Sequence, residues 1–494
     1  MANLPTEIWL QIFSSSHEFR PSDLCNISRS CKHLSPIARS ILYRSINLRS
    51  EIGNDSTMYT LRLLARDLHL ASLVSKLSLQ RFAQSSQSKF PSLINVDVFK
   101  NMNNLRNLEL TGSVFMGEKE SVKDEVIEVL FDQIGVQELK VFTDSSNGLG
   151  LSSAQLMQFM GLRSLLWNGF AMDDSVFDSI WTLLSSSSCT LESISLPFPV
   201  GSRPIMNHFF DFHFPNLHSL TLGIWHDGGF LPSSFSHFLL AHSSTLTHLD
   251  LDSDTDQLIL YSSLTPNLSR ASLPQLRYLR ANIECVRVMM TIEGGPMHFF
   301  STSLTKLVIS PGFVDFVRLN AKIMFSQFQI SLETDRGGGS GTYTGTGNTE
   351  GTFSVLRELN FDLSPWNEVH RSDIIEIMYQ LGVLCGSSLE VWLGTLPSRV
   401  QFSPKELAGL FGKFRKLRVI HLWKSFQINL FEKNKDDEIV DREKEYVGEF
   451  VLELEGSCPK LEEVYIHFGD DLLFDFVVEQ GSEYSDVAIR LVRT

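Results

Sequence analysis

Apolar residues recur along this chain in one short frame, L-x-x-L-x-L, with other aliphatic or aromatic side chains replacing leucine at some positions. It occurs as LRNLEL at Leu105, VQELKV at Val136, LRSLLW at Leu162, LESISL at Leu191, LHSLTL at Leu217, LTHLDL at Leu246, LRYLRA at Leu276, LTKLVI at Leu304, LRELNF at Leu356, LRVIHL at Leu417 and LEEVYI at Leu461. VSKLSL at Val74 opens the series, and LEVWLG at Leu389 is a degenerate member. From Val74 to Leu304 successive copies lie 31, 31, 26, 29, 26, 29, 30 and 28 residues apart, a regularity that marks an internal repeat. In an extended segment alternate side chains take opposite faces, so the second and third leucines of the frame share one face and the residues between them the other. Each copy predicts one short strand, and parallel neighbours need a crossover of a dozen or more residues.

The intervals supply those crossovers as helical patterns. DDSVFDSIWTLLSSSS places Val176, Ile180, Leu183 and Leu184 on one helical face behind Asp173 and Asp174. SPKELAGLF offers Ser403 as N-cap, Pro404 at the first helical position and Glu406 three residues on, a capping box. The fold class expected is α/β, a solenoid with parallel strands on its concave side and helices on its convex side. The pattern resembles the leucine-rich repeat family in its long, irregular form, over about residues 70–470. A doubly wound sheet would not hold its leucines in one register over a dozen units. Two intervals break the rhythm, 52 residues from Leu304 to Leu356 and 44 from Leu417 to Leu461. The first holds DRGGGSGTYTGTGNTEGT, residues 335–352, too rich in Gly, Thr and Ser to bury a core and expected to be a mobile loop. The second holds a charged insertion at 431–446, with the run EKNKDDEIVDREKEY starting at Glu432, expected to be a solvated loop running into a helix.

Ahead of the repeats, Leu4, Ile8, Ile12 and Phe13 follow at helical spacing behind Asn3 as a cap, with Pro5 in the first turn. After the polar break SSSHEFR, Ser22 with Asp23 can start a second helix presenting Leu24, Ile27, Cys31 and Leu34, and Pro36 opens a third with Ile37, Ile41 and Leu42. Three short helices in about fifty residues make a poor independent core and gain stability by burying surface against something else. That something could be the raw end of the repeat array, which such arrays cap.

These residues also carry a family resemblance. LPTEIWLQIF matches the F-box opening L-P-x-E-[IL]-x-x-x-I-[FL], SDLCNISRSCKHL matches its central D-L-x-x-[LI]-S-x-[VS]-[CS]-[KR]-x-[LW], and ILYRSINL resembles the closing segment common in fungal members. The resemblance implies docking on a Skp-family adaptor and, through it, on cullin in an SCF-type ubiquitin ligase. It carries adaptor-contacting or module-packing roles onto Leu4, Pro5, Ile8, Ile12, Phe13, Leu24, Ile27, Ser28, Cys31 and Leu34. The chain departs from the pattern where Ser30 replaces the frequent Val, where Leu34 stands for Trp, and in the polar SSSHEF.

Composition and charge narrow the partners. The 494 residues are 43% apolar and 20% charged, as in globular domains. Residues 1–50 hold six Lys/Arg against three Asp/Glu, leaving 36 against 54 for the remainder. So acidic a body argues against general nucleic-acid binding, which needs a basic stripe, while the positive amino end suits an acidic partner. No apolar run approaches the roughly 18 residues of a spanning helix, and the amino end lacks a basic n-region with a long apolar stretch; neither a membrane segment nor a secretory signal is expected. Cys25, Cys31, Cys189, Cys285, Cys385 and Cys458 are scattered and form no C-x-x-C pair, which predicts reduced thiols in cytoplasm or nucleus.

Candidate chemistry is sparse. DLDSDTD alternates Asp250, Asp252, Asp254 and Asp256, but neither register supplies the Gly and Glu of a calcium loop; a metal-dependent hydrolase built on it is the weakest functional reading. His208, His213, His237 and His242 lie among aromatics without an H-E-x-x-H pair and are expected to be partly buried polar spacers. No nucleophile elbow occurs, and no catalytic residue, metal or cofactor is expected. The outward positions of the strands are Asn107, Glu109, Glu138, Lys140, His248, Asp250, Asp252, Tyr278, Arg280, Lys306, Glu358, Asn360 and Asp362, then His421, Trp423, Tyr465 and His467. The last four join aromatics to polar groups and are the candidate substrate-binding residues. The organisation expected is an F-box domain at 1–50, a leucine-rich repeat domain at 51–475 and a tail at 476–494. The function it implies is a non-catalytic substrate-recognition subunit of a ubiquitin ligase; the alternative is a leucine-rich scaffold whose F-box-like segment only caps the solenoid.

Overall fold

The computed structural model describes residues 5–14, 20–49, 55–80, 96–112, 114–115, 120–133, 135–143, 151–169, 174–198, 208–224, 232–252, 273–282, 303–310, 355–361, 371–395, 402–424, 436–468, 472–477 and 488–493. The chain divides into two compact units, one of Met1–Pro199 with Phe212–Leu217, the other of Val200–Asp211 with His218–Thr494. Each is built of α/β solenoid coils.

The first unit carries β1 (Ser45–Arg49), β2 (Lys76–Gln80), β3 (Asn107–Thr111), β4 (Glu138–Thr143), β5 (Ser164–Gly169) and β6 (Ser193–Phe198). Each pairs in parallel with the next. The register stacks like on like: Ile46, Leu77, Leu108, Leu139, Leu165 and Ile194 form one row, and Leu48, Leu79, Leu110, Val141 and Trp167 the next. All are buried, and each such side chain contributes about 2 kcal/mol relative to leaving it in water. The first apolar residue of the frame is buried as well, as at Val74, Leu105, Val136, Leu162 and Leu191. Gly135 and Gly161 take positive φ (71° and 82°) immediately before Val136 and Leu162, a turn into the strand that a Cβ would strain. Behind the sheet, the helix Asp174–Ser187 buries Phe177, Ile180, Leu183 and Leu184; the side chain of Val176 lies outside the described residues. Thr190 and Asn216 bind carbonyls of the preceding coil, at Leu162 and Cys189, both at 2.8 Å.

The array starts one coil before Val74. Tyr43, Ile46 and Leu48 occupy the three apolar places of the frame, and Tyr43 precedes Val74 by 31 residues, the spacing of the next two copies. An aromatic at the first place, inside a segment already matched to another motif, concealed the frame.

The second unit carries β7 (Ser219–Ile224), β8 (His248–Asp252), β9 (Tyr278–Asn282), β10 (Lys306–Ser310), β11 (Glu358–Phe361), β12 (Val391–Thr395), β13 (Val419–Lys424), β14 (Glu463–Phe468), β15 (Leu472–Val477) and β16 (Ala488–Arg493). From β7 to β14 every pairing is parallel. One buried row runs Leu220, Leu249, Leu279, Leu307, Leu359, Trp392, Ile420 and Val464. The pairings of β14 with β15 and of β15 with β16 are antiparallel, because the three residues between β14 and β15 cannot make a parallel crossover. Strand β16 falls in the stretch read as a tail.

The helix Pro404–Phe411 starts with the expected capping box: Glu406 N–H donates to Ser403 Oγ at 3.4 Å and Ser403 N–H to Glu406 Oε2 at 3.0 Å. The helix Asp436–Ser457 takes up most of the charged insertion, and Tyr446 at its end is buried, its hydroxyl donating to the Phe402 carbonyl at 3.0 Å. The Gly/Thr-rich segment 335–352 and residues 431–435 lie outside the described residues. Among the described residues, no helix is long and apolar enough to cross a membrane.

Candidate functional site

Three helices precede β1. They are α1 (Thr6–Ser14), α2 (Pro21–Ser30) and α3 (Ser35–Leu42). The Pro5 carbonyl accepts from the N–H groups of Ile8 and Trp9 at 3.1 and 3.3 Å, so Pro5 stands at the cap of α1; Asn3 and Leu4 lie outside the described residues. Helix α2 starts one residue ahead of Ser22, with Pro21 at its first position and the Arg20 N–H donating to Asp23 Oδ2 at 2.9 Å. In α3, Pro36 sits in the first turn.

Packing sorts the apolar residues that the resemblance singled out. Phe13, Leu24, Ile37 and Ala38 form the buried core of the helices, with Trp9, Ile27, Leu34, Ile41 and Leu42 packed around it. Trp9 stacks on Phe13 at 5.6 Å. Successive side chains advance about 100° around a helix, so a seam at Trp9 and Phe13 leaves Ile8 and Ile12 on one flank and Leu10 on the other. These three are 40%, 37% and 37% exposed, whereas Phe13 is 3% exposed. Pro5 is also exposed; Ile27, Ser28, Cys31 and Leu34 are half-buried. The hydroxyls of Ser28 and Ser35 lie 3.4 Å apart, joining α2 to α3, and the Cys31 N–H closes α2 on the Ile27 carbonyl at 3.1 Å. Leu10 escaped the sequence reading because the motif leaves its place open. Exposed Arg29, Lys32 and Arg39 give the same helices a positive surface.

The second candidate surface lies in β13 and β14. His421 is the register partner of Tyr465 and Trp423 that of His467. The rings of His421 and Tyr465 stack at 4.3 Å and 17°, and the Tyr465 hydroxyl donates to Glu463 Oε2 at 3.0 Å. The side chains of Trp423 and His467 lie outside the described residues. Elsewhere on the second unit's strands Arg280 faces Asp250 at 3.7 Å and Tyr278 stacks on His248 at 5.7 Å; in the first unit Asn107 Nδ2 donates to Glu138 Oε2 at 2.6 Å.

Asp250 is engaged by Arg280, while Asp254 and Asp256 lie outside the described residues, among which no group of three His, Cys, Asp or Glu is placed to hold a metal. Of the four histidines only His242 is buried, its Nδ1 2.7 Å from the Phe238 carbonyl one helical turn back; His208, His213 and His237 are exposed rather than half-buried. The described cysteines, Cys25, Cys31, Cys189, Cys385 and Cys458, are free thiols. Burial pushes Cys385 and Cys458 up to about 12 each, which keeps both protonated at neutral pH, when only the thiolate is nucleophilic. Of the five described cysteines, iodoacetamide at pH 8 should therefore modify the exposed Cys189 first and leave Cys385 and Cys458 unmodified until the chain unfolds. Peptide mass mapping of a time course checks this, and early modification of Cys385 would contradict it.

Within each unit a row that the hexamer pattern did not reveal lies at the second place of the frame. Its backbone N–H donates to the carbonyl of the preceding coil, as Gln137 to Arg106, Thr305 to Arg277, Arg357 to Thr305 and Glu390 to Arg357, at 2.8–2.9 Å. Side chains far apart in sequence thereby stand side by side along the edge where the strands begin. Arg163 and Glu192 meet there at 3.6 Å, and Arg418 grips Glu462 through two nitrogens at 2.9 and 2.6 Å.

No curated protein matches the chain. Among solved structures, a chain from the crystal structure of the Rad7 and Elc1 complex in yeast is similar at a TM-score of 0.35 and 14% identity, over 86% of this chain and 90% of that one. Residues 1–49 match the F-box-like family model. The helices α1 to α3 and the strand β1 thus make up an F-box-like domain.

Proposed function

We propose that this chain is the substrate-recognition subunit of an SCF-type ubiquitin ligase, with the F-box-like domain docking a Skp-family adaptor, and through it cullin, and the leucine-rich coils holding a protein target. The chain itself is non-catalytic: it raises the local concentration of the target beside the transferred ubiquitin, and it works in cytoplasm or nucleus. The observation that carries this reading is the exposed flank of α1, where Ile8 and Ile12 remain uncovered beside a core already closed by Phe13 and Leu24, with Leu10 uncovered on the opposite flank. Apolar anchors beside basic residues fit an acidic partner with an apolar groove. The target surface proposed is the stack of His421 and Tyr465 with its register neighbours Trp423 and His467.

The scaffold alternative has one observation in its favour, since β1 does cap the array by pairing with β2. Capping by β1 leaves α1 available, so the two roles coexist. The test is capture of purified Skp adaptor by the full chain and by a chain lacking residues 1–43, which keeps β1. Capture by the full chain and its loss in the truncated one is the result expected; equal capture by both would remove the docking role. Affinity capture with the proteasome blocked then identifies targets that depend on the coils.

A further inference from the structure

The row at the second place of the frame is charge-matched along part of the second unit and unmatched at one point. Arg357 faces Glu390 on the next coil at 3.9 Å, and Arg418 faces Glu462. The coil after Arg277 offers Thr305 instead, whose hydroxyl is taken up by the Arg277 carbonyl at 3.1 Å. Among the described residues no carboxylate pairs with the Arg277 guanidinium. At this edge lies a cavity of about 640 Å³ whose lining includes Arg277, Ser303, Thr305, Arg357, Glu390 and Lys416. Among the described residues its charged lining holds three cations against one carboxylate, in a chain whose net charge is −15. Ser303 Oγ is buried there with no hydrogen-bond partner among the described residues. Neighbouring strands lie about 4.8 Å apart, so Arg277 and Arg357, two coils apart, stand about 10 Å apart at the backbone, a span that a small anion can bridge.

We infer that this cavity binds a phosphoryl group. A phosphomonoester carries about −1.5 to −2 at neutral pH and three acceptor oxygens, opposite in sign to the cationic surplus of this lining. The planar fork of Arg277 and the ammonium of Lys416 supply donors of the kind such oxyanions take. The acidity of the whole chain disfavours a nucleic-acid strand and leaves an isolated phosphate, on a protein side chain or free in solution. The first of these sources rests on the receptor role proposed above; the site itself does not.

The experiment uses the full chain, with three probes: inorganic phosphate, a degenerate peptide library with a central phosphoserine, and the same library with serine. The variant is Arg277→Gln with Lys416→Gln, both exposed positions, accepted only if its thermal midpoint equals that of the parent. Retention of the phosphoserine library at least tenfold above the serine library, lost in the variant, supports a protein-borne phosphate. Saturable binding of inorganic phosphate alone, also lost in the variant, supports the site with free phosphate as its ligand. Equal retention of the two libraries without saturable phosphate binding, or binding untouched by the double substitution, overturns the inference. A chain carrying Ile8→Asp with Ile12→Asp runs in parallel; it should lose the adaptor and keep the phosphate, so failure at the cavity and failure of docking are read separately.

Discussion

Replacing Ile8 and Ile12 together by Asp should weaken capture of a Skp adaptor by at least about 100-fold, on the order of 3 kcal/mol, with little change in the stability of the chain. Both side chains lie one helical turn apart on the flank of α1 and are 40% and 37% exposed, so neither completes the interior that Phe13 and Leu24 close. Substitutions at such surface positions usually stay within about 0.5 kcal/mol of neutral. In an interface the same two positions would be desolvated, and a carboxylate placed there without a partner costs several times more than the lost apolar contact. Phe13→Ala is the contrast. Its ring is 3% exposed and stacks on Trp9, so its removal should destabilise the domain by about 3–5 kcal/mol and lose the adaptor only through unfolding. Titration of the adaptor against both variants, with hydrogen exchange over residues 5–49, separates the two mechanisms. Undiminished capture by the double Asp variant would mean that docking does not use α1.

The largest effect on stability in the coils is expected from Trp392→Ala, about 3–5 kcal/mol. Trp392 is 2% exposed, in the buried row between Leu359 and Ile420. Its ring meets Phe411 and Phe414 at 5.3 Å each and Phe361 at 6.4 Å, so it joins three coils at once. Shrinkage of the neighbours into the space left is opposed by the backbone ladder on either side of β12. In solenoids each coil is stabilised mainly by its neighbours, so the loss should concentrate in β11 to β13. Urea denaturation gives the magnitude, and hydrogen exchange at residues 358–361, 391–395 and 419–424 gives the location. A cost below about 1 kcal/mol would mean that the site collapses around alanine, against the cavity argument.

The repeat was legible in the sequence because its cause is local. A strand alternates its faces, a buried face needs leucine or its equivalents, and a parallel return has a minimum length, so the apolar frame and its spacing followed from chain geometry alone. The capping box at Ser403 and Glu406 was legible for the same reason, as all its partners lie within four residues. The three-part order of the amino-terminal segment was likewise visible as residues at fixed spacing.

What the sequence could not decide was which apolar residues of a short helix are covered. Ile8, Leu10, Ile12 and Phe13 are alike in hydropathy, and only the positions of α2 and α3 make Phe13 interior and leave the other three exposed. Nor could it show that the F-box-like segment supplies the first strand, since Ile46 and Leu48 acquire that role by pairing with Leu77 and Leu79. The cationic cavity depends most on folding. Arg277, Arg357 and Lys416 are spread over 140 residues and line one cavity because each coil returns the chain to the same edge of the sheet. Periodicity along a chain determines which residues seek the interior; only the closing of coils and helices on one another determines which surfaces are left over to bind something else.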